Sequence, residues 1–255
     1  MCSHSSNNEP KSPSSNKEEG LPLYENSMKT ECTHIERGQS PNSDNEPVQK
    51  STVVGRFAPT PSGKLHLGNT FSFLMAYLVA RQAGGSVLMR IEDLDPARSK
   101  QSYADGVLRC LEALGFEWDN EPVYQSSRTE AYFEAYQALD HKGLLYPCFC
   151  TRSDLHSANA PHFGEEVLYQ GTCRTLSKIE QEEKAKLRNP ATRIVVPTEE
   201  LAFNDLFQGP QSFNLAESSG DFIVQRSDGV YAYQLAVTVD DAWMGVTSIV
   251  RGHGS

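Results

Sequence analysis

The sequence predicts an α/β fold built around a parallel sheet, preceded by a polar tail. A β-prone run at 53–57 leads through a turn rich in proline and glycine into apolar residues at helical spacing between positions 71 and 78. A second apolar, strand-like run follows at 86–91, and two further helical repeats come after it. Because alternating strands and helices pair through right-handed crossovers, this order indicates a parallel sheet.

The remaining elements are predicted in chain order. The two helical repeats consist of Ala104, Val107, Leu108 and Leu111, and of Tyr132, Ala135, Tyr136 and Leu139. Residues 192–226 contain several short β-like runs, and 227–229 form a turn signal. An apolar segment at 231–239 and a final strand at 246–251 complete the predicted domain, and we find no internal repeat.

Residues 1–51 are predicted to be a disordered tail, and residues 52–255 an ordered domain. The tail is rich in serine and has no long apolar run, so burial cannot offset the entropy lost on ordering it. It lacks the apolar stretch of a secretory signal, and its acidic residues are atypical of transit peptides. Since no segment approaches the roughly 20 apolar residues that cross a bilayer, we expect a soluble, cytoplasmic monomer without membrane contact.

Six cysteines are present, and without a secretory signal a disulfide framework is not expected. Cys148, Cys150 and Cys173 lie inside a polar stretch at 148–175 that interrupts the pattern of strands and helices. Three thiolates leave one position of a tetrahedral metal site open. Two histidines of the same stretch are candidates for that position: His156 and His162. The alternative is three buried, inert cysteines, but an insertion with little apolar core favours a metal that holds its shape.

The first candidate site is the segment 56–69, which joins the first predicted strand to the first helix. Parallel sheets bind nucleotides at the carboxyl ends of their strands, and the free N–H groups and positive dipole end of a helix attract phosphates. Gly63 and Gly68 would let the backbone approach a ligand closely. His66 is suited to donate a hydrogen bond to a phosphate oxygen; the alternative is a proline-rich turn in which His66 is merely exposed.

Four segments in order carry a resemblance to a known family. The run Pro-Ser-Gly-Lys-Leu-His-Leu-Gly-Asn at 61–69 resembles the HIGH motif of class I aminoacyl-tRNA synthetases, with Asn69 in place of the last histidine. Three further segments are similar to the glutamate-specific branch of that family: 56–63, 90–96 and 231–251. The resemblance covers roughly residues 53–251 and implies a Rossmann-like sheet that activates glutamate with ATP, accompanied by magnesium.

The same resemblance implies which residues bind the substrates. For ATP it implies Pro59, Gly63, His66, Gly68 and Asn69, of which His66 and Asn69 belong to the catalytic motif. For glutamate it implies Arg56, Ala58, Thr60, Glu92, Tyr233 and Arg251. Arg251 suits bidentate capture of the side-chain carboxylate and Glu92 suits the α-ammonium, with Tyr233 as an orienting hydroxyl. The alternative is that the charged members are surface residues at strand ends.

Within that branch, the sequence resembles the glutamyl-queuosine tRNA(Asp) synthetases. These carry a similar Cys-x-Cys and Tyr-x-x-x-Cys set, which implies a structural zinc ion with Tyr169 as its fourth ligand. Val237 resembles them too, since discriminating glutamyl-tRNA synthetases usually have asparagine at this position. The implied reaction forms glutamyl-adenylate and transfers the glutamyl group to the queuosine base in the anticodon of tRNA(Asp).

Two alternatives to this function follow from the end of the sequence. The second ATP-binding loop of the family, KMSKS, is not found before Ser255, so we expect a chain that lacks the C-terminal KMSKS region. The chain is then the catalytic fragment of a glutamyl-tRNA synthetase, or a non-catalytic truncated remnant. The net charge of −10 disfavours strong non-specific binding to nucleic acid but leaves room for a local basic surface that docks tRNA.

Overall fold

A three-stranded parallel sheet forms the first half of the domain in the computed structural model, which describes residues 53–151, 154 and 168–251. Its elements are β1 (Val54–Phe57), α1 (Leu67–Gln82), β2 (Ser86–Ile91), α2 (Gln101–Ala113) and β3 (Val123–Tyr124). The strand order is β1-β2-β3, and both pairs are parallel. The predicted α/β fold with a parallel sheet is confirmed, whereas the predicted tail lies outside the described residues.

Glycine permits the tightest contacts around β1. Gly55 faces α1, where a Cβ would sit 3.2 Å from the Ala80 Cβ. At Gly85, just before β2, a Cβ would come within 2.0 Å of the Val53 carbonyl oxygen, so no larger residue fits. The buried core of this half includes Phe57, Ala76, Ala80, Val87, Met89, Ile91, Val107 and Leu111. The sheet is thus fixed against its helices, with the carboxyl ends of the parallel strands at one edge.

The second half contains an antiparallel sheet and a separate hairpin. Its elements are a 3₁₀ helix (Gln125–Arg128), α3 (Thr129–His141), β4 (Leu145–Cys148), α4 (Lys178–Leu187), β5 (Ala191–Ile194), β6 (Glu200–Asp205), β7 (Gly209–Asn214), α5 (Leu215–Ser218), β8 (Ile223–Gln225) and α6 (Tyr233–Trp243). One sheet has the order β4-β5-β8, and β6 and β7 form a two-stranded sheet. The β-like runs predicted at 192–226 are confirmed, as is the following turn, where Gly229 has a φ of 86°.

Helix α4 is an element that the apolar pattern of the sequence does not predict. Its residues are mostly charged, and none of them is buried. Its sequence signal is a capping box: the Ser177 hydroxyl accepts the Glu180 N–H at 3.3 Å, and the Glu180 carboxylate accepts the Ser177 N–H at 2.8 Å. Local capping therefore defines the start of this helix.

The prediction of a final strand at 246–251 is wrong, because these residues form no strand. Its backbone bonds to β1 are confined to Val54, whose carbonyl oxygen accepts the N–H groups of both Thr247 and Ser248 at 3.0 Å among the described residues. The Val54 N–H donates to the Thr247 hydroxyl at 2.9 Å. A side chain thus takes the donor that a strand ladder would use, so pairing does not continue along β1.

Helix α6 is held between α3 and β8 by a second buried core. Tyr132 of α3, Val224 of β8 and Leu235 of α6 belong to it, and the rings of Tyr132 and Tyr231 meet edge to face at 6.0 Å. The apolar segment predicted at 231–239 is therefore mainly the first part of α6. Among the described helices, none combines the length and apolar character that a membrane span requires.

Candidate active site and metal centre

The N-terminus of α1 forms the first part of the candidate active site. His66 immediately precedes the helix, and its N–H donates to the Asn69 side-chain oxygen at 3.5 Å. The first turn carries no acidic residue, so the positive end of the helix dipole is not neutralised there. The His66 ring lies against Gly68, where a Cβ would sit 3.1 Å away, while Gly63 has open space around it. Three of the residues predicted for ATP thus lie together at a helix end suited to a phosphate.

A backbone hydrogen bond fixes the loop between β1 and α1 to the neighbouring strand. The Glu92 N–H donates to the Pro59 carbonyl oxygen at 2.9 Å. Pro59 is buried, Ala58 is half-buried and Thr60 is exposed. The loop residues predicted for glutamate are therefore held beside the end of β2, where Glu92 follows the strand.

A buried network of charges joins β1 and β2 to α6. Arg90 is fully buried, and it donates through Nη1 to Asp241 at 2.6 Å and through Nη2 to Glu92 at 3.1 Å. Arg56 donates through Nε to the same Asp241 oxygen at 3.1 Å. Both buried cations thus have carboxylate partners, as buried charges require. Burial raises the pKa of Glu92, and the positive charge of Arg90 opposes this shift.

Helix α6 joins this network through Asp241, which lies on the same face as Tyr233 and Val237. Tyr233, Val237 and Asp241 follow one another at intervals of four residues, which places them along one side of a helix. The adjacent Asp240 is fully buried. It accepts hydrogen bonds from three side chains: Gln125 at 2.8 Å, Arg128 at 2.6 Å and Tyr132 at 2.7 Å. These bonds anchor the helix that carries Tyr233.

The charged residues predicted for glutamate lie around Tyr233. Burial raises the pKa of its phenol, the negative charge of Glu92 raises the pKa further, and Arg251 and Arg56 lower it. Arg56, Glu92 and Arg251 are therefore within electrostatic range of Tyr233. Two cations, one anion and one hydroxyl complement an amino acid with two carboxylates and one ammonium.

The residues that hold this site together are not found by sequence reasoning. Arg90, Asp240 and Asp241 make most of its buried ionic contacts. Their signal in the sequence is a charged residue within an apolar segment. Arg90 lies among the apolar residues of β2, and Asp240 and Asp241 lie among those of α6. Because charged side chains are almost never fully buried without a partner, such interruptions indicate paired charges.

The predicted metal ligands lie close together. The sulfur atoms of Cys148, Cys150 and Cys173 are all within 4.8 Å of one another, and those of Cys150 and Cys173 are 3.6 Å apart. The Tyr169 Oη lies 3.6 Å from the Cys148 sulfur. Tetrahedral zinc bonds imply ligand separations of about 3.8 Å between sulfurs and about 3.5 Å between sulfur and oxygen. The donors present therefore fit a tetrahedral ion; His156 and His162 lie outside the described residues.

Backbone contacts position these ligands. Cys148 ends β4, and Tyr169 forms an isolated parallel bridge with Gly220. Gly220 has a φ of 62°, and a Cβ there would come within 2.8 Å of the Tyr169 carbonyl oxygen, so glycine is required twice over. The Cys173 N–H donates to the Tyr169 Oη at 2.8 Å. The phenol oxygen is thereby held beside the sulfurs.

Arg193 of β5 is the buried cation at this cluster, and sequence reasoning does not find it. Its Nε donates to the Cys148 sulfur at 3.2 Å, and its guanidinium carbon lies 3.7 Å from the centre of the Tyr169 ring. Burial alone would raise the pKa of the Cys148 thiol, but the hydrogen bond and charge of Arg193, together with hydrogen bonds from the Cys150 backbone and Tyr169, lower that pKa. Burial, with the neighbouring Cys173, raises the pKa of Cys150 to about 12.

Comparison with known families identifies the family of this domain. Residues 52–254 match the family model described as tRNA synthetases class I (E and Q), catalytic domain. The chain belongs to this family. The parallel sheet, the loop that leads into α1 and the charge cluster at α6 all lie within the matched residues.

Similar curated proteins within the family share one name. A glutamyl-Q tRNA(Asp) synthetase from Nitratidesulfovibrio vulgaris is 47% identical over 211 residues, which cover 78% of this chain and 65% of that protein. One from Symbiobacterium thermophilum is 48% identical over 212 residues, with the same coverage of both. The chain thus spans about 65% of the length of these curated relatives.

Solved structures of family members resemble this fold. A glutamate tRNA ligase from Elizabethkingia meningosepticum, crystallised in complex with its amino acid, superposes with a TM-score of 0.67 at 27% identity. A glutamate-tRNA synthetase from Elizabethkingia anophelis gives a TM-score of 0.68 at 26% identity. Each match covers 79% of this chain and 44% of the other.

Proposed function

We propose that this chain carries a site that activates glutamate with ATP to form glutamyl-adenylate. The observation that supports this most directly is the buried charge network that holds Arg56 and Glu92, with Arg251 within electrostatic range of Tyr233. In this site Arg251 pairs with the side-chain carboxylate, Glu92 with the α-ammonium, and the Tyr233 hydroxyl orients the substrate. Arg56 adds positive charge, and Asp241 fixes its direction. Ala58 and Thr60 line the same loop.

Activation needs positioning and charge stabilisation more than an acid or a base. An oxygen of the glutamate α-carboxylate attacks the α-phosphorus of ATP, and pyrophosphate leaves. The residues assigned to ATP are those at and before the start of α1: Pro59, Gly63, His66, Gly68 and Asn69. The helix N-terminus attracts the phosphates and His66 donates to a phosphate oxygen, while magnesium supplies positive charge alongside the triphosphate.

For the second step we propose transfer to the queuosine base in the anticodon of tRNA(Asp). A hydroxyl of the modified base attacks the carbonyl carbon of glutamyl-adenylate, an ester forms, and AMP leaves. Two observations favour this acceptor: the shared name of relatives at 47% and 48% identity, and Val237 on the substrate face of α6. The alternative acceptor is the 3′ end of tRNA(Glu), in line with the two solved glutamate-tRNA ligases.

The first step is tested by ATP–pyrophosphate exchange with glutamate, glutamine and aspartate as separate substrates. We expect exchange with glutamate only, and a raised KM for glutamate but not for ATP in Glu92→Gln. Glu183→Gln, which removes the same charge from an exposed pair with Lys186, is the matched control and should behave as the parent. Absence of exchange with every amino acid would reject activation and support a non-catalytic remnant.

The second step is tested with three RNA preparations. Labelled glutamate should become attached to tRNA(Asp) that contains queuosine, and not to the same tRNA with guanosine in its place or to tRNA(Glu). Attachment to tRNA(Glu) instead would identify a glutamyl-tRNA synthetase. The label on the queuosine ester should be released by mild alkali but should survive removal of the 3′-terminal nucleotide.

We further propose that Cys148, Cys150, Cys173 and Tyr169 hold a structural zinc ion. The spacing of the donor atoms and the thiolate-rich donor set support zinc over magnesium or calcium, which prefer oxygen ligands. A bound ion would cross-link the end of β4 to the segment around Tyr169 and Cys173. Such an ion would stabilise the fold of this region and would take no part in the reaction.

A further inference from the structure

A buried arginine without a carboxylate partner lies beside the cysteine cluster. Arg193 is only 5% exposed, yet no carboxylate lies within ion-pair distance of it in the described part of the chain. Its hydrogen bonds go to the Cys148 sulfur and to the backbone carbonyl oxygen of Asp221. The Asp221 carboxylate faces other groups, namely the Tyr146 hydroxyl, the Val196 N–H and Arg174.

Burial of an unmatched cation is costly, so its counter-charge has to be close. Besides the Asp221 carbonyl oxygen, the guanidinium contacts the sulfur of Cys148 and the ring of Tyr169, and both of these residues belong to the proposed metal ligands. Three thiolates around a divalent ion carry one net negative charge, and an ionised phenol would make it two. The net negative charge of such a centre would therefore balance the positive charge of Arg193.

We propose that Arg193 is a positioning and charge-balancing residue of the metal centre. It stabilises the anionic form of the centre through Cys148 and orients the Tyr169 ring by stacking on it. The proposal rests on the metal assignment and is independent of the enzymatic reaction. It gives a buried residue outside the ligand set a defined role in metal affinity.

The shape of the contacts requires arginine rather than any cation. Nε points to a sulfur, Nη1 points to a backbone carbonyl, and the flat face of the same group covers an aromatic ring. A planar guanidinium satisfies all three at once, whereas an ammonium is a single point of charge. Lysine at 193 would therefore keep the charge and lose the geometry, so the two contributions can be measured separately.

The test is zinc affinity measured by competition with a chromophoric chelator. Arg193→Met should weaken zinc binding about 10- to 100-fold, the range found when a group that holds a metal ligand is removed. Arg193→Lys should fall between Met and the parent. The matched control is Arg174→Met, because Arg174 follows Cys173 in the chain but is half exposed and pairs with Asp221. It should stay within about threefold of the parent.

A spectroscopic readout separates this role from mere packing. With Co²⁺ in place of zinc, loss of the N–H donor to Cys148 should shift the thiolate-to-cobalt charge-transfer band in both Arg193 variants, and Arg174→Met should leave it unchanged. If Arg193→Met does not fold, the band and affinity of Arg193→Lys decide the question.

Parent-like affinity and spectrum in a folded Arg193 variant would overturn the proposal, as would equal losses in Arg193→Met and Arg174→Met. A parent chain that binds no zinc would also overturn it. None of these results bears on ATP–pyrophosphate exchange, so the proposed reaction and the role of Arg193 can fail separately.

Discussion

Two buried arginines, Arg90 and Arg193, show how differently the two halves of the domain compensate charge. Arg90 is 0% exposed and Arg193 is 5% exposed. Arg90 donates to two carboxylates, those of Glu92 and Asp241. Arg193 reaches a sulfur, a backbone carbonyl and an aromatic ring instead.

The different partners of Arg90 and Arg193 indicate where each site obtains its negative charge. At α6 the protein supplies both signs of charge, so Arg56 and Glu92 are held in place before a substrate arrives, and less entropy is lost on binding. At the cysteine cluster the protein supplies a buried cation and three thiols, and under the proposed zinc assignment the balancing negative charge comes from thiols that ionise around the ion. Folding alone would then assemble the first site, whereas the proposed metal centre would need its ion as well.

The largest effect is expected from removal of a metal ligand. Apparent zinc-binding free energies at structural sites are about 10–16 kcal/mol shared among four ligands, so loss of one costs several kcal/mol. Elemental analysis should find about one zinc per chain in the parent and none in Cys173→Ser, and the melting temperature of the variant should fall. Cys110→Ser, at an exposed cysteine of α2, is the control and should retain both. Full zinc content in Cys173→Ser would exclude this ligand.

The next effect should come from breaking the charge network at α6. Asp241→Asn leaves Arg56 and Arg90 without their shared carboxylate, and breaking a buried pair costs about 3–5 kcal/mol. Urea unfolding should show a loss near the lower end of that range, since the Asp241 side chain is 14% exposed. Glu183→Gln should leave the unfolding free energy nearly unchanged. Similar small losses in both variants would mean that the network does not stabilise the fold.

A smaller effect is expected at the predicted carboxylate-binding residue. Arg251→Ala should weaken glutamate binding by about 2 kcal/mol or more, roughly 30-fold, because a charged hydrogen-bond partner is lost. Calorimetric titration should also show a smaller preference for glutamate over glutamine in the variant. Arg226→Ala, at an exposed arginine paired with Asp95 and Asp228, should bind like the parent. Equal affinity of the folded parent for glutamate and glutamine would refute this pocket.

The smallest effect is a shift in pH dependence. Burial raises the pKa of Glu92, and only the ionised carboxylate can pair with the substrate ammonium. As pH falls through that raised pKa, the KM for glutamate should rise, and the rise should begin at a higher pH than for an exposed glutamate. Glu92→Gln should show a high KM without this acidic limb. An unchanged limb in Glu92→Gln would assign it to another group.

How far the sequence predicts this molecule depends on which interactions are local. Strands β1 and β2 follow from apolar runs bounded by turn residues, and α1 follows from its periodic apolar positions. The apolar pattern does not predict helix α4, because this helix has a capping box and no buried residues. The segment 246–251 has the composition of a strand, but one threonine hydroxyl takes the hydrogen bond that would begin its ladder.

The candidate site divides in the same way. Residues in short motifs, such as His66 and Asn69, can be predicted because their spacing carries the signal. Arg90 and Asp241 are 151 positions apart in the chain, and Arg193 lies 45 positions from Cys148. No local pattern joins such partners, so the charges that support the site become visible only in the fold.

The hydrogen bond from the Glu92 N–H to the Pro59 carbonyl oxygen has a thermodynamic consequence. It ties the loop assigned to ATP to the residue assigned to the glutamate ammonium, so a ligand that orders either side restricts the other. Linkage makes such coupling reciprocal: the factor by which ATP raises the affinity for glutamate equals the factor by which glutamate raises the affinity for ATP. One short backbone contact would thus make the two substrates bind cooperatively.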